Sequence, residues 1–163
     1  MSASSVLVRA AEPADIPAIH RLLSFYARQG IVLERSEEDL AFYLRNFSVA
    51  ELDGAVVGCM AVRDFGNGLL EVRSLAVAPE RQGGGVGRRM VEAAKERLAR
   101  ERGDFRLFAL TLAPDFFQRL GFAVVAKELF PEKIWHDCSQ CPKQDHCDEI
   151  AVLYRGSGSP ATA

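Results

Sequence analysis

Much is missing from this sequence. No apolar run in its 163 residues approaches the length of a membrane span. The opening MSASSVLVRAAEPAD has neither a charged start nor a long apolar core, so no secretory leader is expected and a cytoplasmic setting is. Positive charge is not in excess. The net charge of −2 gives no general attraction to nucleic acid or to anionic membranes. No repeat and no dividing linker is present, so residues 1–155 read as one domain, with a small, polar, disordered tail over 156–163. Cysteine is scarce, with four residues, of which Cys138, Cys141 and Cys147 crowd together. In a reducing compartment such a cluster points to metal or chemistry rather than to disulfides. What remains is an ordinary globular balance, 48% hydrophobic and 26% charged, long enough for a real core.

The informative stretch runs from Glu71 to Arg102. Val72 to Val77 is a short apolar, β-branched run suited to a buried strand, and Pro79 ends it. Gln82-Gly83-Gly84-Gly85-Val86-Gly87 follows. Met90, Val91, Ala94 and Leu98 then recur at helical spacing until Gly103. Strand, glycine-rich turn and helix have a physical use. The first N–H groups of a helix lack internal partners and lie at the positive end of its dipole, and glycines let a phosphate reach them. Arg81, Arg88 and Arg89 add charge beside the turn. The spacing is wrong for two common phosphate loops: no Gly-Lys-Ser/Thr follows, and G-x-G-x-G is not G-x-G-x-x-G.

Around this core the chain punctuates itself. A strand is expected at Val6–Ala10. A helix capped by Asp15 comes next, with Ile16, Ile19, Leu23 and Tyr26 inward, ending at Gly30. Ser36 opens a second helix with Leu40, Tyr43 and Leu44 inward. Asp53-Gly54 joins strands Phe47–Leu52 and Ala55–Val62 in a tight hairpin, and Asn67-Gly68 turns into the central strand. After the long helix come a strand over Phe105–Leu112, a short helix over Asp115–Leu120, a strand over Phe122–Ala126 and a last strand over Glu149–Tyr154.

Gln82, Gly85 and Gly87 fill the pattern Q/R-x-x-G-x-G/A. With Arg73-Ser74-Leu75-Ala76-Val77 before it, the loop resembles the acetyl-CoA loop of the GNAT N-acetyltransferases. Phe116-Phe117-Gln118-Arg119-Leu120-Gly121-Phe122 is similar to that family's late motif. The resemblance implies an α/β (mixed α+β) GNAT fold: a central, mostly antiparallel sheet, splayed at the acetyl-CoA site, with helices on both faces. It implies acetyl-CoA as co-substrate, held by Leu75, Ala76, Val77, Gln82, Gly83, Gly84, Gly85, Val86, Gly87 and Arg88. Further pieces, among them Gln29-Gly30-Ile31-Val32, Arg35-Ser36 and Gly58-Cys59-Met60-Ala61, resemble the acetyltransferase domain of N-acetylglutamate synthases. That likeness implies direct acetylation of the α-amine of an amino acid, L-glutamate foremost, the first step of arginine biosynthesis.

Such chemistry needs a base for the amine, donors for the oxyanion and cations for substrate carboxylates. Glu71 is the candidate base, acting through water; the competing reading is a solvated strand-end carboxylate. Arg63, Arg35 and Arg73 are the candidate carboxylate ligands; the competing reading is a surface arginine for each. Many GNAT enzymes carry a tyrosine acid where this chain has Phe117, which leaves the thiolate unassisted or served by another donor such as Thr111. Cys59 reads as a small buried residue rather than a nucleophile. His136, Cys138, Cys141, His146 and Cys147 form an insertion over 128–148 that could hold a structural zinc, form a disulfide or stay free, so no metal ligand is assigned. Two other functions stay open: a GNAT enzyme acting on another small amine or a protein N-terminus, and a regulatory module that binds acetyl-CoA without transfer. A homodimer is also open.

Overall fold

The computed structural model describes residues 6–129 and 149–158. Seven strands form one mixed sheet in the order β1-β2-β3-β4-β5-β7-β6, flanked by helices. The strands are β1 (Leu7–Ala10), β2 (Phe47–Leu52), β3 (Ala55–Gly66), β4 (Leu69–Val77), β5 (Phe105–Thr111), β6 (Ala123–Val125) and β7 (Ile150–Gly156). The helices are α1 (Ile16–Ala27), α2 (Glu37–Phe42), α3 (Val86–Arg102) and α4 (Pro114–Gln118). This is the expected order of elements. No helix among the described residues is long and apolar enough to cross a membrane.

Contacts group the chain into two units, Met1–Arg63 with Val72–Glu96, and Asp64–Glu71 with Arg97–Ala163. In the first, β1 and β2 and then β2 and β3 pair antiparallel. Asp53 and Gly54 both take positive φ, as the tight hairpin turn requires. Ile19, Leu23, Leu40, Val49, Met60 and Met90 fill its core. Gly58 brings strand and helix close: a Cβ there would stand 3.1 Å from both Val86 Cγ1 and Met90 Sδ.

In the second unit, β4 starts parallel to β5, with Leu69, Leu70 and Glu71 opposite Arg106, Leu107 and Phe108. β7 lies between β5 and β6 and is antiparallel to both. Leu69, Phe108, Ala151 and Leu153 make its buried cluster.

Several expectations need correction. Asp15 does not cap α1 with its side chain, because its carboxylate is taken by Arg9, at 2.8 and 3.0 Å, and by the Glu12 N–H. Tyr43 does not face inward. The short α2 stops at Phe42, Tyr43 leaves the helical region at φ −103°, and it is 43% exposed. The tail does not begin at 156. β7 pairs through Gly156, which is opposite Phe105, and the Gly158 N–H donates to Gly103 O at 2.7 Å. Residues 159–163 lie outside the described residues, as do His136, Cys138, Cys141, His146 and Cys147.

Candidate active site

The glycine-rich loop adopts the conformation its composition permits. Gly83 and Gly85 take φ of +83° and +88°, where a Cβ would be strained although nothing lies within 4 Å of it. Gly84 and Gly87 do not take positive φ. The first backbone bond of α3 runs from Arg89 N–H to Gly85 O at 3.0 Å. The N–H groups of Val86, Gly87 and Arg88 precede it and make no hydrogen bond to any described residue. α3 is 17 residues long, and Arg81, Arg88 and Arg89 are exposed at its start. N–H donors and the positive end of the dipole thus meet at the start of α3, with three exposed arginines along the same stretch, a setting that suits an anionic diphosphate.

Ahead of the loop, β4 is irregular at its middle. Ser74 takes φ +54° inside the strand, an uncommon conformation for a residue with a Cβ. The buried run expected over Val72–Val77 is accordingly broken, and Arg73, Ser74 and Leu75 are only half-buried. Ser74 is held from two sides. Cys59 Sγ donates to its carbonyl at 3.5 Å, and Arg35 Nη1 donates to its Oγ at 3.3 Å.

Arg35, the second of the three candidate arginines, is held by several groups. Its side chain is 16% exposed. Nε donates to Asp39 Oδ2 at 2.6 Å, one helical turn on, and Ser36 caps that turn by accepting from the Asp39 N–H. The guanidinium carbon sits 5.3 Å from the centre of the Phe47 ring and 5.6 Å from that of Tyr43. These contacts fix the fork while leaving donors on Nη2 unused by any described residue. Arg63 on β3 and Arg73 on β4 are half-buried, and neither is without a partner.

Glu71 departs from its expected setting. β4 starts two residues earlier, so the carboxylate is not at a strand end; it is 3% exposed and engaged by a neighbour. Cys59 is fully buried, and loss of solvation pushes its thiol up to about 12, which rules it out as a thiolate nucleophile near neutrality. Phe117 is packed between the rings of Phe116 and Phe122, at 5.0 and 5.1 Å. Thr111 Oγ1 accepts from the Ala113 N–H at 2.8 Å.

Two features of this region were not legible in the sequence. Ser74 offers no turn signal and is not a residue type that favours positive φ. Tyr26 reads only as an apolar position of α1. In the structure its hydroxyl donates to the Val77 carbonyl at the end of β4 and accepts from Gln82 Nε2 in the loop.

Comparison with known proteins bears on the family and the fold. Residues 42–124 match the acetyltransferase (GNAT) domain model. An uncharacterized N-acetyltransferase of Chlorobaculum tepidum is 45% identical over 94% of this chain and 98% of its own length. The amino-acid acetyltransferase of Mycobacterium tuberculosis is 38% identical over 73% of this chain and 69% of its own. The N-acetylglutamate synthase of Neisseria gonorrhoeae, solved with coenzyme A and N-acetyl-glutamate, superposes with a TM-score of 0.82 at 30% identity. That match covers 94% of this chain but 36% of the synthase, so the chain spans about a third of that enzyme. With the fold, the loop and these likenesses in agreement, the chain belongs to the GNAT acetyltransferases.

Proposed function

We propose that this protein transfers the acetyl group of acetyl-CoA directly to the α-amine of an amino acid, with L-glutamate the favoured acceptor, in the first step of arginine biosynthesis. The observation that carries the reading is Arg35, a guanidinium fixed by Asp39, Tyr43 and Phe47 and seated on β4 at Ser74, beside the backbone that leads into the loop. A carboxylate-bearing acceptor suits that fork, because planar N–H donors match both carboxylate oxygens. The relatives named as amino-acid acetyltransferases and the synthase bound to N-acetyl-glutamate support the same class.

In this reading the free N–H groups from Val86 to Arg88, with Gln82 and Gly83 to Gly85, hold the diphosphate of acetyl-CoA. The backbone of Leu75, Ala76 and Val77 takes the pantetheine arm and supplies donors as charge develops on the thioester oxygen. Glu71 accepts the proton of the amine through water, from a buried position on β4. Arg63 and Arg73 assist Arg35. The setting is the cytoplasm, and a homodimer is compatible with it. Phe117 has no hydroxyl to protonate the departing thiolate and supports a second reading, a module that binds acetyl-CoA without transfer.

Thiol release from acetyl-CoA across the twenty amino acids decides between them. Selective turnover of glutamate is expected. Arg35→Ala should raise the KM for the acceptor about 10- to 100-fold, the loss of one charge-assisted contact, and leave that for acetyl-CoA unchanged. Turnover confined to amines without a side-chain carboxylate would remove glutamate. Coenzyme binding without turnover would favour the second reading.

A further inference from the structure

The buried stripe of α1 consists of Ile19, Leu22, Leu23 and Tyr26. Only the last carries a polar atom, and Tyr26 as a whole is 8% exposed. A buried phenol requires hydrogen-bond partners, and packing alone would have been met by phenylalanine. This hydroxyl finds one partner of each kind, donating to Val77 O and accepting from Gln82 Nε2. The partners are 51 and 56 positions away in sequence, on the two sides of the crossing from β4 into the loop.

That crossing is short and otherwise pinned by its own backbone. Ala78 N–H donates to Val57 O of β3 at 2.8 Å. Pro79–Arg81 forms a single 3-10 turn closed by Arg81 N–H to Ala78 O, also at 2.8 Å. Gln82 ends the turn in an extended conformation and is exposed, so without an anchor its three-torsion side chain would range through solvent. One oxygen atom of α1 therefore ties the last residue of the strand to the first residue of the glycine loop.

We propose that Tyr26 is a positioning residue for the coenzyme, its hydroxyl setting the separation between the strand end that receives the pantetheine arm and the loop that receives the diphosphate. The inference rests on the acetyl-CoA reading of residues 75–88. It adds a specific claim: affinity depends on a group that touches no part of the ligand. A pre-set loop loses less freedom on binding, so removing the tie weakens association and spares the chemical step.

The test uses the full chain with Tyr26→Phe, Gln82→Met and the double variant. Coenzyme A affinity is measured by calorimetry, which needs no acceptor. Tyr26→Phe keeps the ring and should weaken coenzyme A about tenfold, raising the KM for acetyl-CoA by a similar factor while kcat stays within about twofold. The double variant should bind no worse than the weaker single variant, because the Tyr26–Gln82 bond is already lost in either one and the cycle cancels whatever Gln82 contributes to the diphosphate directly. Unchanged affinity in Tyr26→Phe, losses that simply add, or a fall in kcat at constant KM would each overturn the proposal. Gln82 is exposed, so Gln82→Met and its cycle carry the test even if Tyr26→Phe lowers the melting temperature. A native chain that fails to bind coenzyme A would overturn the loop reading itself. Native binding with unaltered variants would overturn only the role of Tyr26.

Discussion

Cys59 shows how a single side chain can be read two ways until its surroundings are known. Its thiol sits within hydrogen-bond reach of the Ser74 carbonyl on β4. Burial decides between the readings, moving it from an ordinary 9.0 up to about 12. The linkage has a definite sign. The folded state keeps the proton that the unfolded state gives up, so this contribution to stability is whole below pH 9 and declines from there toward pH 12. Urea melts at pH 8 and pH 10.5 should therefore show a loss on the order of 1–2 kcal/mol in the native protein that is absent from Cys59→Ala. Equal alkaline losses in both proteins would mean that Cys59 does not hold its proton. Its inert, packed character was legible from the alternating strand around it. Its partner was not, because nothing in the letters RSLAV marks Ser74 as a left-handed residue with two side chains leaning on it.

At the scale of elements, the loop and α3 separate two uses of glycine that sequence alone merges. Gly83 and Gly85 are required by conformation, while Gly84 and Gly87 are not. Gly85→Ala should cost about 1–2 kcal/mol in chemical denaturation, the usual penalty for a Cβ in the left-handed region. Gly84→Ala, whose Cβ would meet only Arg81 O at 3.4 Å, should stay within about 0.5 kcal/mol and lose affinity for coenzyme A instead. A greater loss of stability at position 84 than at 85 would contradict the assignment. Strand, turn and helix were legible here because their signals are local: apolar period, proline, glycine and the stop at Gly103. The two Asx-Gly turns were legible for the same reason, each with both residues at positive φ. Tyr43 was misread because periodicity assumes that a helix continues, and α2 ends one residue before it.

For the molecule as a whole, the order of elements was apparent from the sequence and the order of strands was not. β7, last in the chain, inserts between β5 and β6, and no residue type announces such a long-range choice. The candidate site divides in the same way. The loop is contiguous, so its turn between strand and helix was legible; the bonds made by Tyr26, Asp39 and Ser74 join distant or irregular positions and were not. If the loop receives coenzyme A, binding should stabilise the fold by mass action, by about 2.7 kcal/mol when the ligand is at one hundred times its dissociation constant. For a domain of this size that is a rise of roughly 5–10 °C in Tm. Differential scanning calorimetry with and without coenzyme A would register it, and no shift under saturation would speak against binding to the native state.

The bond from Gln82 to Tyr26 also has a meaning in time. It closes 56 positions of chain, so it can form only after α1 has been laid against the end of β4. During synthesis Tyr26 is added 56 positions before Gln82, so the bond waits for the later residue. If that bond sets the affinity for the coenzyme, as proposed, competence waits on the docking of α1 against the end of β4.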